Sequence, residues 1–230
     1  MTVAQINTLA KQHLEPALPG YFAHRDYLLK IESRYFLKGY YFDSRGNKEF
    51  DLRVWFLVQP LFAKSHDLHL TYGEILIHKE RTGIFKIKKT SRFDARKEHL
   101  DDTFQSILKL IFNEGEKTLR PIVSAKSFYR AFYRFRKQNI HIYAGVAYST
   151  VLFKPQWFQT FTLWGLIRFC DSKMDGTYNE TEIAIRNDAI TLLNARTTAK
   201  RLEVLNSWAN ETITNLKIPG IPLFSDAVSQ

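Results

Sequence analysis

The sequence predicts an α+β fold: an N-terminal helix, an antiparallel meander of four or five strands, and then a C-terminal bundle of antiparallel helices. The chain has 230 residues, of which 45% are hydrophobic, so it can bury a sizeable core. A period of two dominates the hydrophobic pattern up to about residue 92, and a helical period dominates from about residue 93. We therefore predict a helix-plus-sheet region at 1–92 and a helical region at 93–230, either packed together as one domain or forming two.

The strands of the predicted meander are separated by turn signals. A turn at 18–20 ends the opening helix. The predicted strands are the runs 34–38, 50–58, 68–72, 74–78 and 84–89, with turns between them at 44–47 and 79–83. In the second run, Asp51 and Arg53 alternate with Leu52 and Val54, which is typical of a strand with one buried face.

Helical periodicity predicts six helices in the second region. Apolar residues recur at helical spacing from Leu100 to Ile111, and Gly115 predicts the end of that helix. The other predicted helices are 124–138, 140–153, 155–169, 181–193 and 198–216. In the last of them, apolar side chains recur on one face from Leu202 to Leu216, so we expect that face to be buried.

The positive charge of the chain is concentrated in one segment. The formal net charge is +10, and the segment from Lys79 to Lys137 holds sixteen Lys and Arg against seven Asp and Glu. The rest of the chain is close to neutral. A localised positive charge favours an acidic partner, either protein or nucleic acid.

Two elements within this segment are predicted to present cations together. On a helix over 124–138, Lys126 and three later cations lie within an arc of about 80°, opposite the phenylalanines, with two tyrosines at the border. In the run 84–89, alternate lysines share one strand face. The predicted residues for binding an acidic partner are Lys86, Lys88, Tyr129, Arg130, Tyr133, Arg134, Arg136 and Lys137. The alternative is that these cations only solvate an amphipathic helix.

One loop has acidic residues at metal-ligand spacing. Asp171, Asp175 and Glu182 occupy the first, fifth and twelfth positions of a segment that resembles the calcium-binding loop of the EF-hand family over twelve residues. Lys173 departs from that pattern, because it places a cation at the third position. A turn followed by an N-cap at Asn179 accounts for the same residues, so we predict no metal and no cofactor.

The remaining features concern the cellular compartment and the core. A single cysteine, Cys170, excludes an internal disulfide framework, and the segment 1–12 lacks the pattern of a signal peptide, so we expect a cytoplasmic protein. Lys154 interrupts the most apolar stretch, 140–170, which predicts a buried helical hairpin and no membrane span. Aromatic residues are dense from Phe153 to Phe169, and we expect them to fill the core; if part of this face is exposed, it would bind a partner or form a homo-oligomer.

We interpret the chain as a non-enzymatic interaction protein, of the adaptor or immunity-like kind, that binds an acidic macromolecule through its basic residues. The alternative is a nucleic-acid-binding protein that uses the same residues. A second alternative is a hydrolase or nuclease, although no phosphate-binding loop, dinucleotide fingerprint or nucleophile elbow occurs. The best candidate for its catalytic site is the group Glu98, His99 and Asp102.

Overall fold

The structure is a computed structural model that describes residues 2–44, 51–68, 70–81, 87–173, 180–218 and 223–224. The chain divides into two compact units. One comprises Met1–Gln59 and Tyr72–Pro121, and the other comprises Pro60–Thr71 and Ile122–Gln230. We call them the sheet unit and the helical unit. The strands are therefore not the whole of the sheet unit, because the first helices after the strands belong to it as well.

The sheet unit begins with the predicted N-terminal helix. Helix α1 runs over Val3–Leu9, and Thr2 caps it by accepting a hydrogen bond from the Gln5 backbone N–H. A π-helical turn at Ala10–Leu14 and a 3-10 turn at Glu15–Ala17 continue it. This segment is amphipathic, so its apolar side is buried in the unit.

The sheet is the predicted antiparallel meander, which confirms the α+β class. Five strands follow one another in spatial order: β1 (Phe22–His24), β2 (Tyr27–Glu32), β3 (Phe36–Asp43), β4 (Asp51–Pro60) and β5 (Glu74–Ile75). A short strand, β8 (Phe93–Asp94), also pairs with β4. The strands β6 (His78–Arg81) and β7 (Ile87–Thr90) form a separate antiparallel pair.

Burial along the central strands follows the side-chain pattern. Strand β3 is buried over seven consecutive residues, as expected for a run of Phe, Leu and Tyr covered on both faces. In β4, Leu52 and Val54 are fully buried while Asp51 and Arg53 are only half-buried. The predicted alternation in this strand is confirmed.

Part of the predicted strand order is wrong or lies outside the described residues. Within the predicted strand 68–72, Leu70–Tyr72 is not extended, because it forms a 3-10 turn that brings Gly73 against strand β4. A β-carbon at Gly73 would lie 2.1 Å from the Phe56 carbonyl oxygen, so only glycine permits this approach. The predicted turn at 79–83 is wrong over its first three residues, because His78–Arg81 forms β6. Residues 45–47 of the other predicted turn, residues 82–83, and residues 84–86 of the predicted strand 84–89 lie outside the described ranges.

The first helix after the strands passes through the predicted stop. Helix α2 covers Leu100–Leu110, a π-helical turn covers Ile111–Gly115, and α3 covers Glu116–Leu119. Gly115 therefore does not end the helix. Its role is steric, because a β-carbon there would lie 2.6 Å from the ring of Tyr40.

The helical unit contains the remaining predicted helices. These are α4 (Ala125–Phe132), α5 (Ile140–Ser149), α6 (Gln156–Lys173), α7 (Glu180–Asn194) and α8 (Thr198–Leu216). The expected face of α8 is buried, with Leu205, Trp208 and Ile213 in the core. Within the described ranges, no helix combines the length and the apolar character needed to cross a membrane.

Candidate binding surface on the helical unit

Helix α4 is held in place at its start by a reciprocal serine cap. The Ser127 backbone N–H donates to Ser124 Oγ at 3.3 Å, and the Ser124 backbone N–H donates to Ser127 Oγ at 2.9 Å. One turn later, the side chain of Phe128 is fully buried. The cap and this buried ring fix the first two turns, so the side chains on the opposite side of α4 must face solvent.

The predicted helix over 124–138 is wrong in its second half. The α-helix ends at Phe132, where φ is −105° and ψ is −11°, and Tyr133–Phe135 forms a 3-10 turn. A 3-10 turn advances about 120° per residue, so Arg134 and Lys137 do not continue the helical arc that begins at Arg130. All three side chains are nevertheless exposed, as expected for a basic surface.

The tighter turn brings tyrosine and arginine side chains into a stack. The rings of Tyr129 and Tyr133 lie with their centroids 4.8 Å apart, and the Arg136 guanidinium lies 3.7 Å from the centroid of Tyr133. Arg136 Nη1 also donates to the Tyr133 carbonyl oxygen at 2.8 Å. Burial, followed by the neighbouring Tyr133, raises the pKa of Tyr129 to about 12, so its phenol is neutral at physiological pH.

Lys154 connects this stack to helix α6. Its Nζ lies 5.8 Å from the ring centroid of Tyr129, 5.4 Å from that of Phe153 and 4.8 Å from that of Phe158. Tyr129 and Phe153 are themselves in edge contact at 5.5 Å. A cation among three π faces is stabilised by their quadrupoles, so Lys154 is a fixed part of the surface.

Helix α6 exposes aromatic side chains that we expected in the core, and that expectation is wrong. Trp157 and Phe161 are each 71% exposed, and Trp164 is 54% exposed. They form one stripe, because they lie four and three residues apart. The helix is apolar on two sides, and its opposite side already fills the available core with Leu163 and Leu166. We call Trp157, Phe161 and Trp164 the aromatic stripe.

The aromatic stripe is connected to the stack of Tyr129, Tyr133 and Arg136 through Lys154 and Phe158. Phe158 lies 5.5 Å from Trp157 and 6.5 Å from Phe161, measured between ring centroids, and it also carries Lys154. A chain of ring and cation contacts therefore runs from Tyr133 through Lys154 to the stripe. We use the name basic–aromatic surface for these contacting residues together with the exposed side chains of Arg130, Arg134, Lys137 and Trp164.

One sequence signal for this surface was missed. Between Glu116 and Asp171 the sequence contains no Asp or Glu, but it contains nine Lys and Arg. The net charge of the segment from Lys79 to Lys137 does not reveal this pattern, because the acid-free segment extends beyond Lys137 to Cys170 in α6. Among the residues that the structure describes, none of those nine cations is in a salt bridge.

The structure does not describe the side chains of Lys86 and Lys88, the two strand lysines that we predict to bind an acidic partner. Lys86 lies outside the described residues, and Lys88 is placed only as backbone in β7. Both belong to the sheet unit, whereas the residues of α4 belong to the helical unit. A joint surface of the two sets therefore stays a prediction.

The loop that resembles an EF-hand is described only at its two ends. Asp171 lies within α6 and forms an ion pair with Arg186, whose Nε donates to its Oδ1 at 2.6 Å. Glu182 lies in the first turn of α7, and Asp175 lies outside the described residues. In the described ranges, no group of three or more His, Cys, Asp or Glu is arranged to hold a metal ion.

The predicted catalytic group has no enclosed site. Glu98, His99 and Asp102 are all exposed at the start of α2, so they do not line a concave pocket that could enclose a substrate. The sheet unit does contain a buried polar cluster elsewhere. Tyr21 and Tyr40 donate to the same oxygen, Glu116 Oε1, at 2.6 and 2.8 Å.

Burial is the largest cause that raises the pKa values of Tyr21 and Tyr40, and the adjacent carboxylate raises them further. Both phenols therefore remain protonated and act as donors to Glu116. Each carboxylate lone pair used in this way satisfies a buried hydroxyl, which is a structural role. Sequence reasoning missed this cluster because its members are separated by up to 95 residues.

Comparisons with known proteins add no assignment. No protein-family model, no curated protein and no solved structure matches the chain.

Proposed function

We propose that this chain is a non-enzymatic interaction protein that binds an acidic protein through the basic–aromatic surface of its helical unit. The observation that carries the proposal is the acid-free segment 117–170, in which Arg136 and Lys154 lie against aromatic rings and Trp157, Phe161 and Trp164 are exposed. Trp, Tyr and Arg are the residues that most often dominate the energy of protein interfaces. An acidic partner would also be steered by the uncompensated charge.

The arrangement of the aromatic stripe favours a helix on the partner. Trp157, Phe161 and Trp164 form a ridge along α6, with Arg168 exposed one turn further on. A ridge of this spacing packs into the groove of a second helix. The favoured partner therefore presents an amphipathic helix that has apolar side chains on one face and carboxylates along its edges.

A second candidate function is the binding of single-stranded nucleic acid. Bases can stack on flat side chains, and this surface offers two groups of them. One is the stack of Tyr129, Tyr133 and Arg136, and the other is the exposed rings of the aromatic stripe. The exposed cations nearby would contact phosphates. Arg136 lies over the ring of Tyr133, which is 38% exposed, so a base would stack on the guanidinium plane rather than on that ring.

Two fluorescent probes distinguish these candidates by anisotropy. One is an amphipathic peptide of about 18 residues, five helical turns, with Leu on one face and Glu on the other. The other is an oligothymidylate of about 20 nucleotides, which spans several stacking positions. The variant R130E/R134E/K137E should lower the affinity for the peptide, the probe that we expect to bind, by at least about tenfold, because three attractive charges become repulsive.

The matched control is K11E/K109E/K200E, which changes the net charge equally at three other exposed lysines. We expect this control to keep most of the wild-type affinity. Tight binding of the oligothymidylate without binding of the peptide would replace the first candidate with the second. Unchanged binding of both probes by R130E/R134E/K137E would overturn both candidates.

A further inference from the structure

A cavity of about 580 Å³ opens in the helical unit between α6, α7 and the start of α8. This volume is in the range in which proteins bind small organic molecules. One part of its wall is apolar, and another part is cationic. The lining residues that matter here are Trp164, Ile167, Ile190, Leu193, Arg196 and Arg201.

The guanidinium of Arg201 is the buried end of this cavity. Arg201 is only 2% exposed, and all its recorded acceptors are neutral. Its Nε donates to the carbonyl oxygens of Leu192 and Ala195, at 2.9 and 3.0 Å, which secures the end of α7. Nη1 donates to Gln159 Oε1 and Nη2 donates to Thr160 Oγ1, both at 3.0 Å.

These bonds do not use the whole guanidinium. Arginine has five N–H groups, and Nη1 and Nη2 of Arg201 each carry a second hydrogen. Those two hydrogens have no acceptor in the part of the chain that the structure describes. Buried charge without a counter-ion is costly, and burial accordingly lowers the pKa of this guanidinium.

The other charges of the wall add to this positive potential. Arg196 is exposed at the rim and belongs to no salt bridge of the described residues. Arg186 also lines the cavity, but Asp171 neutralises it. Among the residues that the structure describes, no Asp or Glu lines the cavity. The wall thus has two cations without a carboxylate partner.

We propose that this cavity binds an amphiphilic organic anion, with its acidic group facing Arg201 and Arg196 and its apolar body lying against Trp164 and Ile190. A carboxylate, sulfonate or phosphate would accept the unused hydrogens of Arg201 in charge-assisted bonds. The half-exposed indole of Trp164 supplies a flat apolar face beside the opening. Trp164 is shared with the aromatic stripe, whereas Arg196 and Arg201 belong to this site alone.

Two dyes of nearly the same shape test the proposal. 8-Anilinonaphthalene-1-sulfonate has a sulfonate, and N-phenyl-1-naphthylamine is the same skeleton without it. In fluorescence titrations of the full chain, we expect the sulfonate to bind at one site and about tenfold more tightly than the neutral dye, because charge-assisted hydrogen bonds distinguish the two.

Four variants locate the binding. Arg196→Gln should weaken the sulfonate several-fold and leave the neutral dye unchanged, whereas Arg196→Lys should retain most of the affinity. Ile190→Trp should fill the cavity and weaken both dyes, with the unfolding transition checked by circular dichroism. Arg130→Gln, on α4, should change neither titration.

Equal affinities of the two dyes for the wild-type protein would overturn the proposal, as would an Arg196→Gln variant that binds the sulfonate like the wild type. Competition identifies the chemical class of the natural ligand. Decanoate and decyl phosphate should displace the sulfonate, and inorganic phosphate alone should not, because the apolar wall contributes to binding. Loss of peptide binding by R130E/R134E/K137E with dye binding intact would show that the dye site does not depend on the proposed peptide-binding surface.

Discussion

A single carboxylate oxygen satisfies two buried phenols in the sheet unit. Glu116 Oε1 accepts hydrogen bonds from Tyr21 and Tyr40, which are 6% and 0% exposed. A hydrogen bond to a charged group contributes about 1.5 to 3 kcal/mol, and an abandoned buried hydroxyl costs a similar amount. The three side chains therefore form one unit in which the acceptor has the largest effect.

We expect Glu116→Leu to lower the free energy of unfolding by about 3 kcal/mol, because both hydroxyls lose their acceptor. Glu116→Gln keeps an acceptor oxygen and should cost about 1 kcal/mol. Urea denaturation measures both values. Glu114→Leu is the matched control, since Glu114 is exposed in the same helical turn and should change stability by less than about 0.5 kcal/mol.

The coupling within this cluster gives a sharper criterion. Replacing Tyr40 by Phe in the Glu116→Leu background removes one of the stranded hydroxyls, so the double variant should be more stable than the sum of the single effects indicates. Strict additivity would contradict the shared acceptor.

Cys170 should be unreactive in the folded protein. Its side chain is fully buried, and burial, with Asp171 and Glu182 nearby, raises the pKa of the thiol to about 11. The thiolate is the nucleophilic form, so its fraction stays small until the pH approaches that value. We expect no reaction with a disulfide reagent such as Ellman's at neutral pH, and stoichiometric reaction after unfolding in guanidinium. Rapid labelling of the native protein would contradict this.

The sequence pattern predicts that Arg130, Arg134 and Lys137 are exposed, but it does not predict that Arg136 stacks on Tyr133. Charged residues opposite phenylalanines on an amphipathic segment are expected to face solvent. The stacking of Arg136 on Tyr133 depends on a 3-10 turn after Phe132. No Gly or Pro in that run predicts such a turn.

At the scale of elements, Gly115 shows how packing can override helix propensity. Alanine is about 1 kcal/mol better than glycine inside a helix, so propensity alone favours Gly115→Ala. The added β-carbon would lie 2.6 Å from Tyr40 Cε1 and 2.7 Å from its hydroxyl oxygen. The ring of Tyr40 is buried and hydrogen-bonded, so it cannot move away freely.

We therefore expect Gly115→Ala to destabilise the protein by about 1 to 3 kcal/mol, the usual cost of overpacking a core. In a Tyr40→Leu background the same substitution should become neutral or stabilising, because the clash is gone and the propensity gain remains. Thermal unfolding measures the effect of Gly115→Ala on stability in the wild-type background and in the Tyr40→Leu background, and we expect the two effects to have opposite signs or the second to be zero. Stabilisation by Gly115→Ala in the wild-type background would show that the ring of Tyr40 can move to make room for the added methyl group.

The prediction of elements succeeded where the hydrophobic period was long and uninterrupted. The bounds of α6, α7 and α8 were predicted closely at their starts, and the antiparallel meander follows from period-two runs separated by turns. The strand prediction for 68–72 failed because the run contains few apolar residues and because Leu70–Tyr72 forms a 3-10 turn that places Gly73 against β4. The exposed stripe on α6 failed because aromatic density alone does not say which side of a helix the core covers.

At the scale of the whole molecule, charge limits what can cover the basic–aromatic surface. The net charge of +10 includes nine cations in the acid-free segment 117–170. In an isologous dimer the same patch faces itself, so Lys154 and Arg168 of one copy would approach those of the other. The apolar stripe favours such contact and the charge opposes it, whereas an acidic partner satisfies both.

We expect the chain to be monomeric at about 50 mM salt and to self-associate as salt rises toward 500 mM, where screening shortens the reach of the repulsion to a few ångströms. Sedimentation velocity measures the change. Trp157→Ser/Phe161→Ser should remain monomeric at both salt concentrations, and Phe112→Ser, which removes an exposed ring in the sheet unit, should behave like the wild type. Association that is strongest at low salt would show that attraction between charges, and not the stripe, joins the copies.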